Sequence, residues 1–293
     1  MTPFLRTGPA DGASPILLTS PHSGTQLPAA FLRSTRLPPA ALRRIEDCHV
    51  GALLAASVAA GLPLLEATHS RAYLDLNRAE DELDPAMLSG PLLVGGTAMV
   101  PNLTDRLRRG YGLLPRIAAP NQPIYPGRIP ATEAEARIVA LHRPWHGAIA
   151  RSLTAARARH GFAILVDCHS MPTPDGLPAA DLVIGDLHGQ SADGHLVARL
   201  ESIFAGLGLK VSRNVPYAGG HTTERHAAPG MGIHAIQLEF DRKLYMHPES
   251  LRPHAGFASL SATIAAALIG FADALPNLAL GMRQTHENSL AAE

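Results

Sequence analysis

The sequence predicts an α/β fold, with a mostly parallel or mixed central sheet and helices on both faces. Three observations predict it. Short apolar runs recur at Ile16-Leu17-Leu18, Ala163-Ile164-Leu165-Val166 and Ala235-Ile236-Gln237-Leu238, each about as long as a buried strand. In the second half such runs alternate with helical patterns, which reads as βαβ units. Each run also ends in polar residues: Ser20-Pro21-His22-Ser23-Gly24, Asp167-Cys168-His169-Ser170 and Glu239. In an open α/β sheet, sites are built at the carboxyl ends of the strands.

Residues 15–20 read as a strand that stops at the Pro21-His22 turn. Pro38-Pro39 opens a helix expected to reach Ala60 and to end at Gly61. Leu64 to Leu76 reads as one or two strands leading to Asp75-Leu76-Asn77-Arg78. Residues 79–130 are rich in Pro and Gly without a sustained period, as in lids and binding loops. Thr132 and Glu135 form a capping box for a helix running to about His160, and Pro144 predicts a kink in it. Strands follow at Phe162–Val166, Leu182–Ile184 and Ala235–Phe240, with helices at Ser191–Leu207 and Pro253–Leu275. No repeat or linker divides the chain, so residues 1–293 read as one domain.

The chain has 293 residues, 46% of them hydrophobic and 17% charged, which suits a large buried core. Lys+Arg and Asp+Glu balance at 25 each. No basic excess points to nucleic acid, and aromatics at 4% offer few stacking platforms. Cys48 and Cys168 read as buried free thiols, which fits a reducing cytoplasm. Met1-Thr2-Pro3-Phe4 does not read as a signal peptide. The apolar stretch from Leu260 to Gly281 is interrupted by Ser261, Thr263, Asp273 and Pro276. It reads as a buried helix, so no membrane partner is expected.

His22 and His169 each follow a strand directly, which makes them the expected ligands of a catalytic zinc or other divalent metal. Asp167 shares the strand face of His169 and can orient its ring. The third ligand is expected to be Asp47, on an inward stripe with Gly51, Leu54 and Val58. Glu46 is its rival, and a surface pair with Arg43 or Arg44 is the alternative for Asp47. Glu239 shares a face with Gln237 and Asp241, opposite Ile236, Leu238 and Phe240. A carboxylate there can serve as general base, unless it is an exposed edge-strand group.

Arg71, Asp75, Asn77 and Arg78 lie within eight residues. Arginine forks suit bidentate recognition of carboxylates, with Asp75 holding one arginine and the other meeting substrate. A purely structural ion pair is the alternative. Tyr217 to His226 is a second dense polar stretch. Its Gly219-Gly220 pair permits close backbone approach, and Gly220, Thr223 and Arg225 are its expected substrate-binding residues. Gly230-Met231-Gly232 precedes a strand and therefore does not read as a dinucleotide fingerprint.

On these motifs, together with Ser70-Arg71, Asn214-Val215-Pro216-Tyr217-Ala218-Gly219-Gly220 and Ile236-Gln237-Leu238-Glu239 through Leu244-Tyr245-Met246, the chain resembles the N-formylglutamate amidohydrolase family. The family looks like a distant relative of zinc carboxypeptidases and aspartoacylases. The resemblance implies a phosphorylase/hydrolase-like three-layer sandwich and zinc-dependent hydrolysis of a small N-acyl amino acid. N-formyl-L-glutamate would yield formate and glutamate, as in histidine catabolism. By analogy with those relatives, Glu239 would be the base and Asn77 and Arg78 would meet the substrate carboxylate or scissile carbonyl; Arg71 and Arg225 are the candidates expected for the glutamate carboxylates. Two departures stand out. The His-x-x-Glu pair of the relatives is missing after His22. The loop reads Thr223-Glu224-Arg225-His226-Ala227 where deformylases tend toward Thr-Arg-His-Tyr-Gly. An acylase with another acyl group and a non-catalytic binding protein are the rival readings.

Overall fold

The structure, a computed structural model, describes residues 2–94, 96–174, 176 and 180–290. Met1 of the amino-terminal segment and Gly95 of the 79–130 segment lie outside the described residues. The central sheet has seven strands: β1 (Phe4–Thr7), β2 (Ile16–Ser20), β3 (Leu64–Ala67), β4 (Ala163–Met171), β5 (Leu182–Gly185), β6 (Val211–Arg213) and β7 (Ile233–Asp241). Their order is β1-β3-β2-β4-β7-β5-β6. Strands β3, β2, β4 and β7 run parallel. Strand β1 is antiparallel to β3 and β5 is antiparallel to β7, with β6 parallel to β5. The sheet is mixed, with its parallel part at the centre.

Side-chain alternation along these strands separates two cores. Ile16, Leu18, Ile164, Val166, Ile236 and Leu238 face one side. There they meet α2 (Gly194–Gly206) and α4 (Gly256–Leu290). Leu17, Leu65, Leu165 and Ala235 face the other, against Trp145, Ile149 and Leu153 of α1 (Arg143–His160). The result is the three-layer α/β sandwich expected. Helix α4 from Gly256 to Pro276 is long and apolar enough to cross a membrane by length and composition. Its Ile264, Leu268, Phe271 and Leu275 are instead buried in the first core.

Several expected elements differ in extent. The helix expected over 38–60 is interrupted. Short helical pieces at Pro39–Leu42 and Arg43–Ile45 give way to an irregular turn before Val50–Leu53 and Ala55–Ala59. Asp47 therefore lies in a turn and not on a helical stripe. Two contacts hold the break: the Asp47 N–H donates to His22 O at 3.0 Å, and His49, in the left-handed region at φ 70°, donates from Nε2 to Leu251 O at 2.8 Å. The helix before α1 begins at Ala131 with Pro130 as its cap, without the Thr132–Glu135 box. A π-helical segment, Ile138–His142, precedes Pro144. Pro144 follows directly within the same continuous helical run, Ala131–His160, so the expected irregularity takes the form of this π-helical segment just before the proline, where the regular ladder is already broken. Strand β4 runs five residues past Val166 and carries Asp167 and His169 within the sheet.

Candidate metal centre and substrate cavity

The alternation that builds the cores also delivers the site. On β4, Ala163 and Leu165 share a face with Asp167 and His169. On β7, Ala235 shares one with Gln237 and Glu239. The parallel register sets His169 beside Glu239 and Asp167 beside Gln237, while β2 brings Thr19 beside Asp167. Strand β7 lies between β4 and β5, so Glu239 is no edge-strand carboxylate.

Three potential ligand atoms converge here. His169 Nδ1 stands 3.0 Å from Asp47 Oδ2 and 3.1 Å from His22 Nδ1. His22 Nδ1 stands 3.3 Å from the same Asp47 oxygen. The other nitrogen of each ring has a carboxylate partner. His22 Nε2 donates to Asp75 Oδ1 at 2.6 Å, and His169 Nε2 donates to Asp167 Oδ2 at 2.8 Å. Thr19 Oγ1 donates to Asp167 Oδ1 at 2.6 Å. In neutral rings this pairing turns two Nδ1 lone pairs toward each other and toward a carboxylate. Such an arrangement is repulsive unless a cation sits among them. Ligands of a tetrahedral zinc at about 2.0–2.1 Å stand roughly 3.3 Å apart, so His22, Asp47 and His169 fit a zinc-like ion. All three are buried.

Electrostatics agree with a cation site. Burial opposes ionisation of Asp47, yet hydrogen bonds from His169 and His22 hold it well below the usual carboxylate range. Burial likewise opposes ionisation of Asp75, which Arg71, His22 and Arg78 hold low. Burial favours neutral His169, but Asp167 and Asp47 outweigh it and raise its affinity for a proton well above the usual. Glu239 is pushed up to about 7, chiefly by burial, against the pull of His169 and with the help of Asp47.

The cluster opens into a cavity of about 560 Å³, a size that suits a small ligand. Arg71, Asn77, Arg78, Gly220 and Glu239 line it, as the sequence suggests. Asp75 holds Arg71 at 2.6 Å, whereas Arg78 Nη2 is 4.0 Å away. Arg78 donates from Nε to Tyr111 O and from Nη1 to Asn77 O. Two expected substrate residues do not line the cavity. Thr223 is buried and caps Gly220, accepting from its N–H at 3.0 Å and donating to its carbonyl at 2.7 Å. Arg225 is exposed on α3 (His221–His226), away from the lining residues. Glu46 does not join the ligands, because its Oε2 accepts from Arg43 Nε at 3.2 Å.

Sequence reasoning missed Arg106, Arg109, Tyr217 and Arg242, all of which line the cavity. Arg242 Nη2 donates to Asp47 Oδ1 at 3.0 Å and to Glu46 O at 2.7 Å. Its place just after the Glu239 strand was a usable signal. The basic run Arg106-Leu107-Arg108-Arg109 was another, inside the segment read only as loop.

Comparisons with known proteins give the family and the fold. The family model described as N-formylglutamate amidohydrolase matches residues 14–246. An N-formylglutamate deformylase of Pseudomonas putida is 31% identical over 244 residues, 80% of this chain and 83% of the relative. Its namesake from Pseudomonas aeruginosa strain PAO1 is 31% identical over 248 residues, 82% of this chain and 85% of the relative. The crystal structure of N-formylglutamate amidohydrolase from Ralstonia eutropha JMP134 superposes with a TM-score of 0.87 at 33% identity, covering 94% of this chain and 99% of that one. With strand-end histidines, a buried carboxylate network and an arginine-rich cavity arranged on this fold, the chain belongs to the N-formylglutamate amidohydrolase family.

Proposed function

We propose that the chain is a metal-dependent hydrolase of N-formyl-L-glutamate, releasing formate and L-glutamate. The observation that carries the reading is the convergence of His22 Nδ1, Asp47 Oδ2 and His169 Nδ1 within 3.0–3.3 Å at a cavity lined by five arginines and Glu239. His22, Asp47 and His169 would hold zinc or a similar divalent ion, with Asp75 and Asp167 fixing the two rings. When bound, the ion lowers the pKa of a water toward neutrality and polarises a carbonyl.

The protein's own groups carry the rest. Glu239 accepts the proton of the attacking water as oxygen adds to the formyl carbon. It then delivers that proton to the leaving nitrogen as the C–N bond breaks. Arg78 has Nε and Nη1 bound to backbone carbonyls, which leaves Nη2 for the developing oxyanion. Donors so placed are each worth about 3–4 kcal/mol. Asn77 keeps the turn beside His169. The substrate brings two carboxylates, and Arg71, Arg106 and Arg109 supply guanidinium donors for them, while Arg242 spends its fork on Asp47 and the Glu46 carbonyl. Buried free thiols at Cys48 and Cys168 support a cytoplasmic setting.

The test is formate release by the purified protein from N-formyl-L-glutamate, beside glutamate release from N-acetyl-L-glutamate. Activity should vanish in chelator and return with zinc. The formyl compound should have the higher kcat/KM. A higher kcat/KM for the acetyl compound would move the substrate to another acyl group. Full activity after complete metal removal would sink the metal reading.

A further inference from the structure

Four histidines on three elements meet outside the cavity wall. His142 ends the π-helical segment, His146 lies in the first turn of α1, and His221 and His226 open and close α3. None of them lines the cavity. One ring nitrogen from each of His142, His146 and His221 lies within 4.8 Å of the other two. His226 Nε2 stands 2.9 Å from His146 Nδ1.

We propose that His142, His146, His221 and His226 form a second site for a zinc-like transition metal, separate from the His22–Asp47–His169 centre. The hydrogen bonds of the rings carry the argument. His142 Nε2 donates to Arg78 O at 2.8 Å, and His146 Nε2 donates to Leu76 O at 3.0 Å. A carbonyl only accepts, so in each neutral ring the proton is on Nε2 and the lone pair on Nδ1. A backbone carbonyl on the distal nitrogen is a common second partner of a metal-ligating histidine. His221 Nε2 is buried and has no hydrogen-bond partner, an unusual state for an interior polar atom, and His142 Nδ1 faces only the Glu80 carboxylate, 3.4 Å away. His146 Nδ1 has only the His226 ring. Moving the His226 proton from Nε2 to Nδ1 turns that contact into a fourth ligand with no net proton change.

Nitrogens about 2.1 Å from one ion stand about 3.4 Å apart in a tetrahedron and about 4.2 Å apart when opposite. His142, His146 and His221 already converge within 4.8 Å, and His226, now against His146 alone, must turn to complete the set. Burial, helped by neighbouring cationic groups, brings His221 down to about 3 and His226 to about 4, so neutral rings are available. The Glu80 carboxylate, 3.4 Å from His142 Nδ1 and paired with Arg143, offsets part of the added charge. An all-imidazole set selects zinc, copper or nickel over magnesium or calcium.

The second site is independent of the proposed reaction, and metal stoichiometry tests it without an activity assay. Metal-stripped protein is titrated with Zn2+ by calorimetry, and bound zinc is counted after gel filtration. The wild type should take two equivalents, with Mg2+ failing to fill the second. The His221→Ala/His226→Ala double variant should take one, and His22→Ala/His169→Ala should also take one. The single conservative changes His221→Asn and His226→Gln should each weaken one equivalent about tenfold or more, which keeps the test decisive if a double variant does not fold. Saturation of the wild type at one equivalent, or single variants that bind two equivalents as tightly as the wild type, would overturn the proposal.

Discussion

At Glu239, burial and the Asp47 carboxylate oppose ionisation while His169 favours it, and the carboxyl is left pushed up to about 7. Only the ionised form can take a proton from water. With Glu239 as base, kcat/KM should therefore rise as pH passes through about 7 and level off above it. Glu239→Gln removes the base and keeps the shape, and the amide oxygen can still accept from Gln237 Nε2, now 3.0 Å from Glu239 Oε1. This variant should lose about 10²- to 10⁴-fold in kcat and show no inflection near pH 7. Its Tm at pH 8 should be no lower than that of the wild type, because a buried charge has been replaced by a neutral group. Near-normal kcat in a folded, metal-loaded Glu239→Gln protein would assign the proton transfer elsewhere.

Between elements, the decisive contact is the loop ending at Gly220 against the Asp75–Arg78 turn. Thr222 N–H donates to Asn77 Oδ1 at 2.8 Å, and a Cβ on Gly220 would stand 2.3 Å from Asn77 Nδ2. The glycine is required by this close approach and not by a positive φ, since its φ is −123°. Gly220→Ala should displace Asn77, lower Tm through overpacking worth about 1–3 kcal/mol, and reduce kcat/KM. Gly194→Ala, with no atom within 4 Å of the new Cβ, is the control and should change neither. Normal kcat/KM in Gly220→Ala would detach this loop from the site. The strand faces at Asp167/His169 and Gln237/Glu239 were legible in the sequence because period-two alternation is local. The 38–60 helix was misread because its Ala- and Leu-rich composition favours helix, while the break at Asp47 is made by His22 O and Leu251 O. Arg242 on Asp47 joins residues 195 apart, and no local pattern announces that.

For the molecule as a whole, a metal held by His22, Asp47 and His169 would couple stability to pH, and the sign follows from His169. In the metal-free chain a proton takes the place of the cation. Burial disfavours that proton, but Asp167 and Asp47 hold His169 well above the usual imidazole range. A raised histidine contributes fully to stability below its unfolded value of about 6.5 and loses that contribution as pH rises through its folded value. Asp47 is held well below the carboxylate range, so its contribution does not change between pH 6 and 9. Metal and proton compete for one set of atoms, and metal affinity rises as the proton leaves. The difference in Tm between zinc-loaded and chelator-treated protein should therefore widen from pH 6.5 to 8.5. Metal at about a hundredfold over Kd stabilises by about 2.7 kcal/mol, and each tenfold gain in affinity adds about 1.4 kcal/mol. At roughly 2–4 °C per kcal/mol, each pH unit should widen the gap by up to about 3–6 °C. The four-histidine cluster does not produce this trend through His221 or His226, which burial and neighbouring cationic groups bring down to about 3 and about 4. Asp47→Asn should flatten it. Calorimetric melts at three pH values, with and without zinc, decide the matter: a gap that stays constant or narrows with pH would remove His169 as the proton-competing ligand.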